Sequence, residues 1–288
     1  MVLMRALRVA ALVTATALSS TAAQVAVQAD SAHSRSLGRT MRFHVVLPNG
    51  YDSTRSYPVL WLLHGWGGDD FQWLEATRLE HYLRSYPLVA VLPSAGVSWY
   101  VNAAGDPAAR FEDYILQDLT KTVAARYAID LDRQAIAGLS MGGYGAIVLG
   151  LRHPNRFRYI GGLSAAINVP IDIEGFDTIA PFIIPSLRRA FGEKPGEFRA
   201  RHDPFVLFRQ TPAAALPFLY VAIGVADQFP SLVVRNRQFA DSLRVYGARY
   251  IYTEYPGDHS FVLWDQLLPD MLSQVWRFVT APRSVPPI

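Results

Sequence analysis

The chain has 288 residues, 51% of them hydrophobic, a formal net charge of +3 and no cysteine. This is enough apolar material for a sizeable core in one or two domains. The scattered Lys and Arg leave no electrostatic case for nucleic acid, and the missing cysteines exclude a disulfide framework, a thiolate metal site and cysteine-linked lipid.

Arg5 and Arg8, the apolar run Val9 to Leu18 and the small residues Ser19 to Ala23 follow the pattern of a secretory signal peptide. The apolar run is too short to span a bilayer comfortably. Residues 1–23 are therefore expected to be removed, with a second possible cut after Ala29, leaving a secreted or periplasmic protein without a membrane span. Residues 24–39 are polar and small and read as a linker.

The main domain is expected over residues 40–280. Arg42 to Leu47 reads as a first strand, closed by the turn Pro48 to Asp52. Tyr57 to Leu63 is continuously apolar, the pattern of a strand buried on both faces, and it runs into His64-Gly65-Trp66-Gly67-Gly68. A helix is expected from about Phe71 to Arg84, then a buried strand over Pro87 to Leu92 and an exit loop carrying Trp99 and Tyr100. Ile115, Leu119, Val123 and Tyr127 recur every four residues, predicting a helix over Phe111 to Tyr127 with one inward face.

Gln134 to Ala137 reads as a buried strand and Met141 to Arg152 as a helix, with Arg158 to Leu163 a further strand. Residues 164–217 break the alternation. They hold seven prolines and the apolar cluster Ile171, Ile173, Phe176, Ile179, Phe182, Ile183 and Ile184. This stretch is expected to be a small helical insertion, either a lid over the site or a satellite core. A strand over Phe218 to Ile223, a helix over Ser231 to Tyr246, a strand over Tyr250 to Glu254 and a helix over Pro269 to Thr280 complete the pattern. The Pro-rich tail, residues 281–288, reads as flexible. Strands alternating with helices predict an α/β fold with a mostly parallel central sheet and helices on both faces.

Between the central strand and helix lies Gly138-x-Ser140-x-Gly142, a nucleophile-elbow pattern. A serine hydroxyl needs a base and a group to orient that base. Of seven histidines, only His259 follows the last strand at the carboxyl edge of the sheet. Asp227, after the preceding strand and Gly224, is the expected orienting acid. Asp258 is too close in sequence to His259, Asp241 is mid-helix and Asp203 lies in the insertion. Met141 should supply one oxyanion N–H and the glycine-rich loop another, with Trp66 the first choice and Gly67 next. Gly65, Gly67, Trp99, Tyr100, Phe261 and Trp264 are candidates for substrate contact. Glu112 and Asp118 read as a helix-start charge and a solvated face.

Jointly, Leu63 to Gly68, Trp99-Tyr100, Phe111 to Tyr114, Gly138 to Gly143, Gly224-x-x-Asp227 and Gly257-Asp258-His259-Ser260-Phe261-x-x-Trp264 resemble the putative-esterase family of α/β-hydrolases. That family includes esterase D (S-formylglutathione hydrolase), tributyrin and feruloyl esterases, and secreted mycolyltransferases. The likeness covers about residues 40 to 280. It implies an α/β-hydrolase fold, a Ser140-Asp227-His259 triad, oxyanion amides at Trp66 and Met141, and ester hydrolysis through an acyl-enzyme with no metal or cofactor. The export signal departs from the cytosolic formylglutathione hydrolases. Transfer of the acyl group to an alcohol, as in mycolyltransferases, is the competing enzymatic reading. A catalytically silent exported binding protein is the non-enzymatic one.

Overall fold

A computed structural model of the protein describes residues 24–282. The expected signal segment and all but two residues of the expected tail lie outside them. Eight strands form one sheet in the order β1-β2-β4-β3-β5-β6-β7-β8. β1 (Ala26–Ser34) and β2 (Arg39–Leu47) pair antiparallel, as do β2 and β4 (Val89–Pro93). β3 (Tyr57–Leu63), β4, β5 (Ile129–Leu139), β6 (Phe157–Leu163), β7 (Phe218–Gly224) and β8 (Tyr250–Tyr255) run parallel.

β3 and β7 are buried at every residue. Successive side chains point to opposite faces of a strand, so Val59, Trp61 and Leu63 enter one core while Leu60 and Leu62 enter the other. Helix α5 (Met141–Arg152), α9 (Pro230–Tyr246) and the insertion cover the first face. The short α1 (Gln72–Ala76) and α2 (Leu79–Leu83) cover the second, together with the long α10 (Phe261–Thr280). Among the described residues, no helix is long and apolar enough to cross a membrane.

The structure corrects several expectations. Residues 26–34 are not linker but edge strand, paired with β2 along their whole length. Arg126 and Tyr127 bind Asp30, and the Ser34 hydroxyl donates to Asp118 at 2.6 Å. One face of such an edge meets water, so its sequence is polar enough to pass for linker. Asp118 is therefore a strand anchor, and Glu112 is buried against Arg152 and His153.

The expected helix over Phe71 to Arg84 is two helices. Thr77 breaks it: its hydroxyl donates to the Trp73 carbonyl and accepts the Leu79 N–H, replacing helix bonds with side-chain bonds. The Phe111-to-Tyr127 helix comprises α3 (Phe111–Asp113), a π-helical stretch Tyr114–Leu119 and α4 (Thr120–Arg126). Thr120 and Arg156 bind carbonyls of the wide turns at Ile115 and Leu116.

α10 begins eight residues before Pro269, which lies inside it. An internal proline costs a helix about 3 kcal/mol. Buried Leu263, Trp264, Leu267, Leu268, Met271 and Leu272 offset that cost, at roughly 1.5–3 kcal/mol for each large side chain.

The insertion is helical: α6 (Ile184–Phe191), α7 (Glu197–Ala200), α8 (Pro204–Leu207) and several 3-10 turns. It is no satellite core. Ile173, Phe176, Ile183 and Ile184 join the main cluster, while Ile171, Ile179 and Phe182 remain exposed.

Candidate active site

The carboxyl ends of the parallel strands bring the predicted residues to one edge of the sheet. β3 and β5 are neighbours at the point where the chain leaves in one direction toward β4 and returns on the other side. In open α/β sheets, crevices for ligands form at such switch points.

Ser140 occupies the turn between β5 and α5 at φ 51° and ψ −115°. A serine rarely adopts positive φ, and the surroundings must hold it there. They do so through Ser140 N–H to the Leu163 carbonyl at 2.8 Å, and Tyr144 N–H and Ala166 N–H to the Ser140 carbonyl at 3.0 and 3.2 Å. A Cβ on Gly142 would stand 2.4 Å from the Leu63 oxygen, and one on Gly138 would stand 2.5 Å from Gly142 backbone. The elbow closes only because both positions lack side chains.

The turns after β7 and β8 interlock. Ala226 N–H donates to the Gly257 carbonyl at 2.9 Å, and a Cβ on Gly224 would meet that same oxygen at 2.3 Å. This contact sets Asp227 beside His259. Asp227 Oδ2 lies 2.7 Å from His259 Nδ1, and its Oδ1 accepts the Phe229 N–H at 2.9 Å. The Asp227 side chain is wholly buried. A carboxylate only accepts, so Nδ1 carries the imidazole proton and Nε2 faces the Ser140 hydroxyl as an acceptor, at 2.9 Å. Phe229 and Trp264 meet the imidazole edge-to-face at 5.2 and 5.0 Å. Asp258 is exposed, with Ser260 as its hydrogen-bond donor.

Met141 opens α5, so its N–H is one of the amides that a helix start leaves without an intrahelical partner. The glycine-rich loop lies directly alongside: a Cβ on Gly65 would be 3.7 Å from the Ser140 Cβ. The Gly65 N–H itself is occupied by Gln72 Oε1 at 3.0 Å, which removes it as a donor to substrate. Trp66 follows in the wall of the cavity.

His64 serves the loop, not the reaction. It is buried, its Nε2 accepts the Ala95 N–H at 2.9 Å, and its Nδ1–H then donates to the Gly65 carbonyl at 2.7 Å. Burial pushes the pKa of this imidazole below the ordinary 6.5, and burial does the same to His202. Unfolding exposes both to protonation, so the unfolded chain binds more protons than the native protein below that value. Their contribution to stability is intact above pH 6.5 and falls as the pH drops below it. Thermal unfolding should show a Tm that declines from pH 7 toward pH 5, as each histidine removes up to about 1.4 kcal/mol of unfolding free energy per pH unit. Replacing His64 with glutamine should flatten the decline; an unchanged slope would contradict the assignment.

Above Ser140 is a cavity of about 440 Å³. Gly65, Trp66, Trp99, Phe261 and Trp264 line it with Ser140 and His259, as do Phe176, Phe182 and Ile183 of the insertion. Two candidates for substrate contact do not line it. Tyr100 is fully buried, its hydroxyl donating to the His64 carbonyl at 2.9 Å, and Gly67 forms an open turn at φ 75°. The sequence reading did not single out Gln72, Gln228, Phe229 and Leu232, which also line the cavity. Gln228 Oε1 accepts the His259 backbone N–H at 3.0 Å. Its place directly after Asp227 was the only available signal.

The profile of the Putative esterase family matches residues 34–275. An acetyl esterase of Caldicellulosiruptor saccharolyticus is 27% identical over 220 residues, 73% of this chain and 80% of that protein. FphF, a fluorophosphonate-binding serine hydrolase of Staphylococcus aureus, is 26% identical with a TM-score of 0.75, covering 90% of this chain and 100% of the other. An S-formylglutathione hydrolase of Agrobacterium tumefaciens, at 21% identity and a TM-score of 0.77 over 90% of this chain and 97% of its own, shares the fold. The chain belongs to the putative-esterase family and is a serine carboxylic ester hydrolase of α/β-hydrolase fold.

Proposed function

We propose that the protein is an exported carboxylesterase in which Ser140, His259 and Asp227 form the catalytic triad and the Trp66 and Met141 amides hold the oxyanion. The observation that carries this reading is the chain of contacts Ser140 Oγ to His259 Nε2 at 2.9 Å and His259 Nδ1 to Asp227 at 2.7 Å, on a wall of the cavity. The first distance is within hydrogen-bond reach, as proton transfer requires, and the second is a hydrogen bond that orients the imidazole.

Ser140 Oγ attacks the ester carbonyl carbon while its proton passes to His259 Nε2. The carbonyl oxygen becomes an oxyanion between the Trp66 and Met141 N–H groups, at the positive end of α5. As the tetrahedral species collapses, the bond to the alkoxy oxygen breaks and His259 gives that oxygen its proton. The acyl group remains on Ser140. Water then gives a proton to His259 and attacks the acyl carbon, and the Ser140–acyl bond breaks with return of the proton to Oγ. Asp227 stays ionised and stabilises the imidazolium.

The walls Phe176, Phe182, Ile183, Phe229 and Phe261 are apolar and suit an apolar acyl or aryl group near the carbonyl. The acetyl esterase relative supports an acetate ester as the first substrate to try. Mixing excess enzyme with p-nitrophenyl acetate should release nitrophenol with an acetylated Ser140 peptide detectable by mass spectrometry. Acetyl on any other residue, or none, would refute the assignment. Adding glycerol and measuring glyceryl acetate against acetate separates hydrolysis from transfer.

Export is supported by the basic start, apolar run and small residues of positions 5–23. A cut after Ala23 leaves β1 whole, whereas a cut after Ala29 removes four of its nine residues. The mature N-terminus should therefore be Gln24; an intact Met1 on exported protein would overturn the proposal.

A further inference from the structure

One hydroxyl of the insertion is bonded to the glycine-rich loop. Ser186 Oγ accepts the indole N–H of Trp66 at 3.0 Å and that of Trp99 at 3.0 Å, and donates to the Ile183 carbonyl at 2.7 Å. A hydroxyl has one proton and two lone pairs, so this group is saturated. Ser186 is buried on α6, and the 3-10 turn before it carries Phe182 and Ile183 into the cavity. Phe182 also meets the Trp66 ring edge-to-face at 5.1 Å. On its other side, the loop is tied by Gln72 Oε1 to the Gly65 N–H.

We infer that Ser186 is a positioning residue for the oxyanion loop, and that the insertion is thereby a working part of the reacting centre. Trp66 has two free rotations in its side chain, and the indole bond to Ser186 removes them. Holding the ring restrains the peptide that carries the Trp66 N–H. A group bound against Phe182 and Ile183 presses on the same turn that holds Ser186, so the acyl pocket and the oxyanion donor are mechanically joined. A loop displacement of 1 Å can cost about a hundredfold in rate, and loss of one oxyanion donor costs about 10²–10³. The inference rests on the reading of the Trp66 N–H as that donor.

The competing account is that Ser186 only satisfies two indole N–H groups, which predicts lost stability with unchanged chemistry. Kinetics with p-nitrophenyl acetate separate the two. Ser186→Ala should lower kcat about ten- to hundredfold with little change in KM, the signature of an interaction made in the transition state. Ser186→Thr, which keeps the hydroxyl, should recover most of the rate. Trp66→Phe breaks the same bond from its other end and should lower kcat similarly. The double variant should be no worse than the more damaged single one, because one bond is lost in all three. If Ser186→Ala does not fold, Trp66→Phe carries the test. A wild-type kcat in either variant, a fall in Tm alone, or additive losses in the double variant overturns the inference. Ser140→Ala, assayed in parallel, keeps the two failures apart. If it retains turnover, the triad reading fails; if it is inactive while Ser186→Ala and Trp66→Phe run at the wild-type kcat, the triad stands and the role of Ser186 in holding the Trp66 amide fails.

Discussion

Ser140→Ala is expected to lower kcat for p-nitrophenyl acetate by about six orders of magnitude, the loss that removing the serine of a comparable triad produces. The other hydroxyl on the cavity wall, that of Ser260, is bonded to Asp258 and not to His259. In the proposed mechanism the remaining donors can still polarise the carbonyl, but no atom is left to form the acyl-enzyme. The fold should survive, because the Ser140 backbone makes the bonds that hold the elbow and its Oγ makes one bond, to His259. Alanine at φ 51° bears the same backbone strain as serine. His259 Nε2 then faces the cavity, where water can replace the lost hydroxyl. Far-UV circular dichroism and Tm should therefore match the wild type while turnover and acylation disappear. A folded variant within tenfold of the wild-type rate would end the case for Ser140 as nucleophile.

The elements most legible in the sequence are those whose surroundings leave little choice. β3 spans the predicted Tyr57 to Leu63, and α5 the predicted Met141 to Arg152, to the residue. The first is buried on both faces and so must be apolar throughout. The second is bounded by an elbow that accepts only glycine at 138 and 142, two residues to either side of Ser140. β1 was hidden because an edge strand with a wet face has the composition of a linker. The start of α10 was hidden because Pro269 resembles a helix N-terminus when its buried partners are unknown.

The same logic divides the site. Ser140, Asp227 and His259 each follow a strand end, and a parallel sheet brings all its carboxyl ends to one edge. Ser186 follows no strand. Its bonds to Trp66 and Trp99 span 120 and 87 residues of sequence, and no local pattern marks a serine on a short helix as the partner of two indoles. Tyr100 shows the reverse case. A tyrosine in a loop beside the site suggests substrate contact, yet its hydroxyl is consumed in holding the His64 carbonyl.

Asp227→Asn should lower kcat by about 10⁴, the cost measured for the corresponding change in a serine protease, although the side chain keeps its size. The cause is the single acceptor of an amide. Asp227 uses both oxygens, Oδ1 for the Phe229 N–H and Oδ2 for His259 Nδ1. Asparagine has one oxygen and one NH₂ group. If its oxygen keeps the Phe229 N–H, the NH₂ faces Nδ1, which must then accept, and the imidazole proton moves to Nε2. That nitrogen now points a proton at Ser140 and can no longer take one. If the amide turns over to keep Nδ1–H, the Phe229 N–H is left facing a donor, and the start of α9 is strained. Either arrangement also removes the charge that stabilises the imidazolium. With His259 held between Phe229 and Trp264 and its backbone N–H held by Gln228, the ring should stay in place, so KM should change little. The decisive measurement is kcat on folded protein, compared with Asp258→Asn one residue from His259. Asp258 is exposed and faces Ser260, so that variant should retain wild-type turnover. A large loss at Asp258 with a small one at Asp227 would transfer the orienting role from the buried carboxylate to its exposed neighbour.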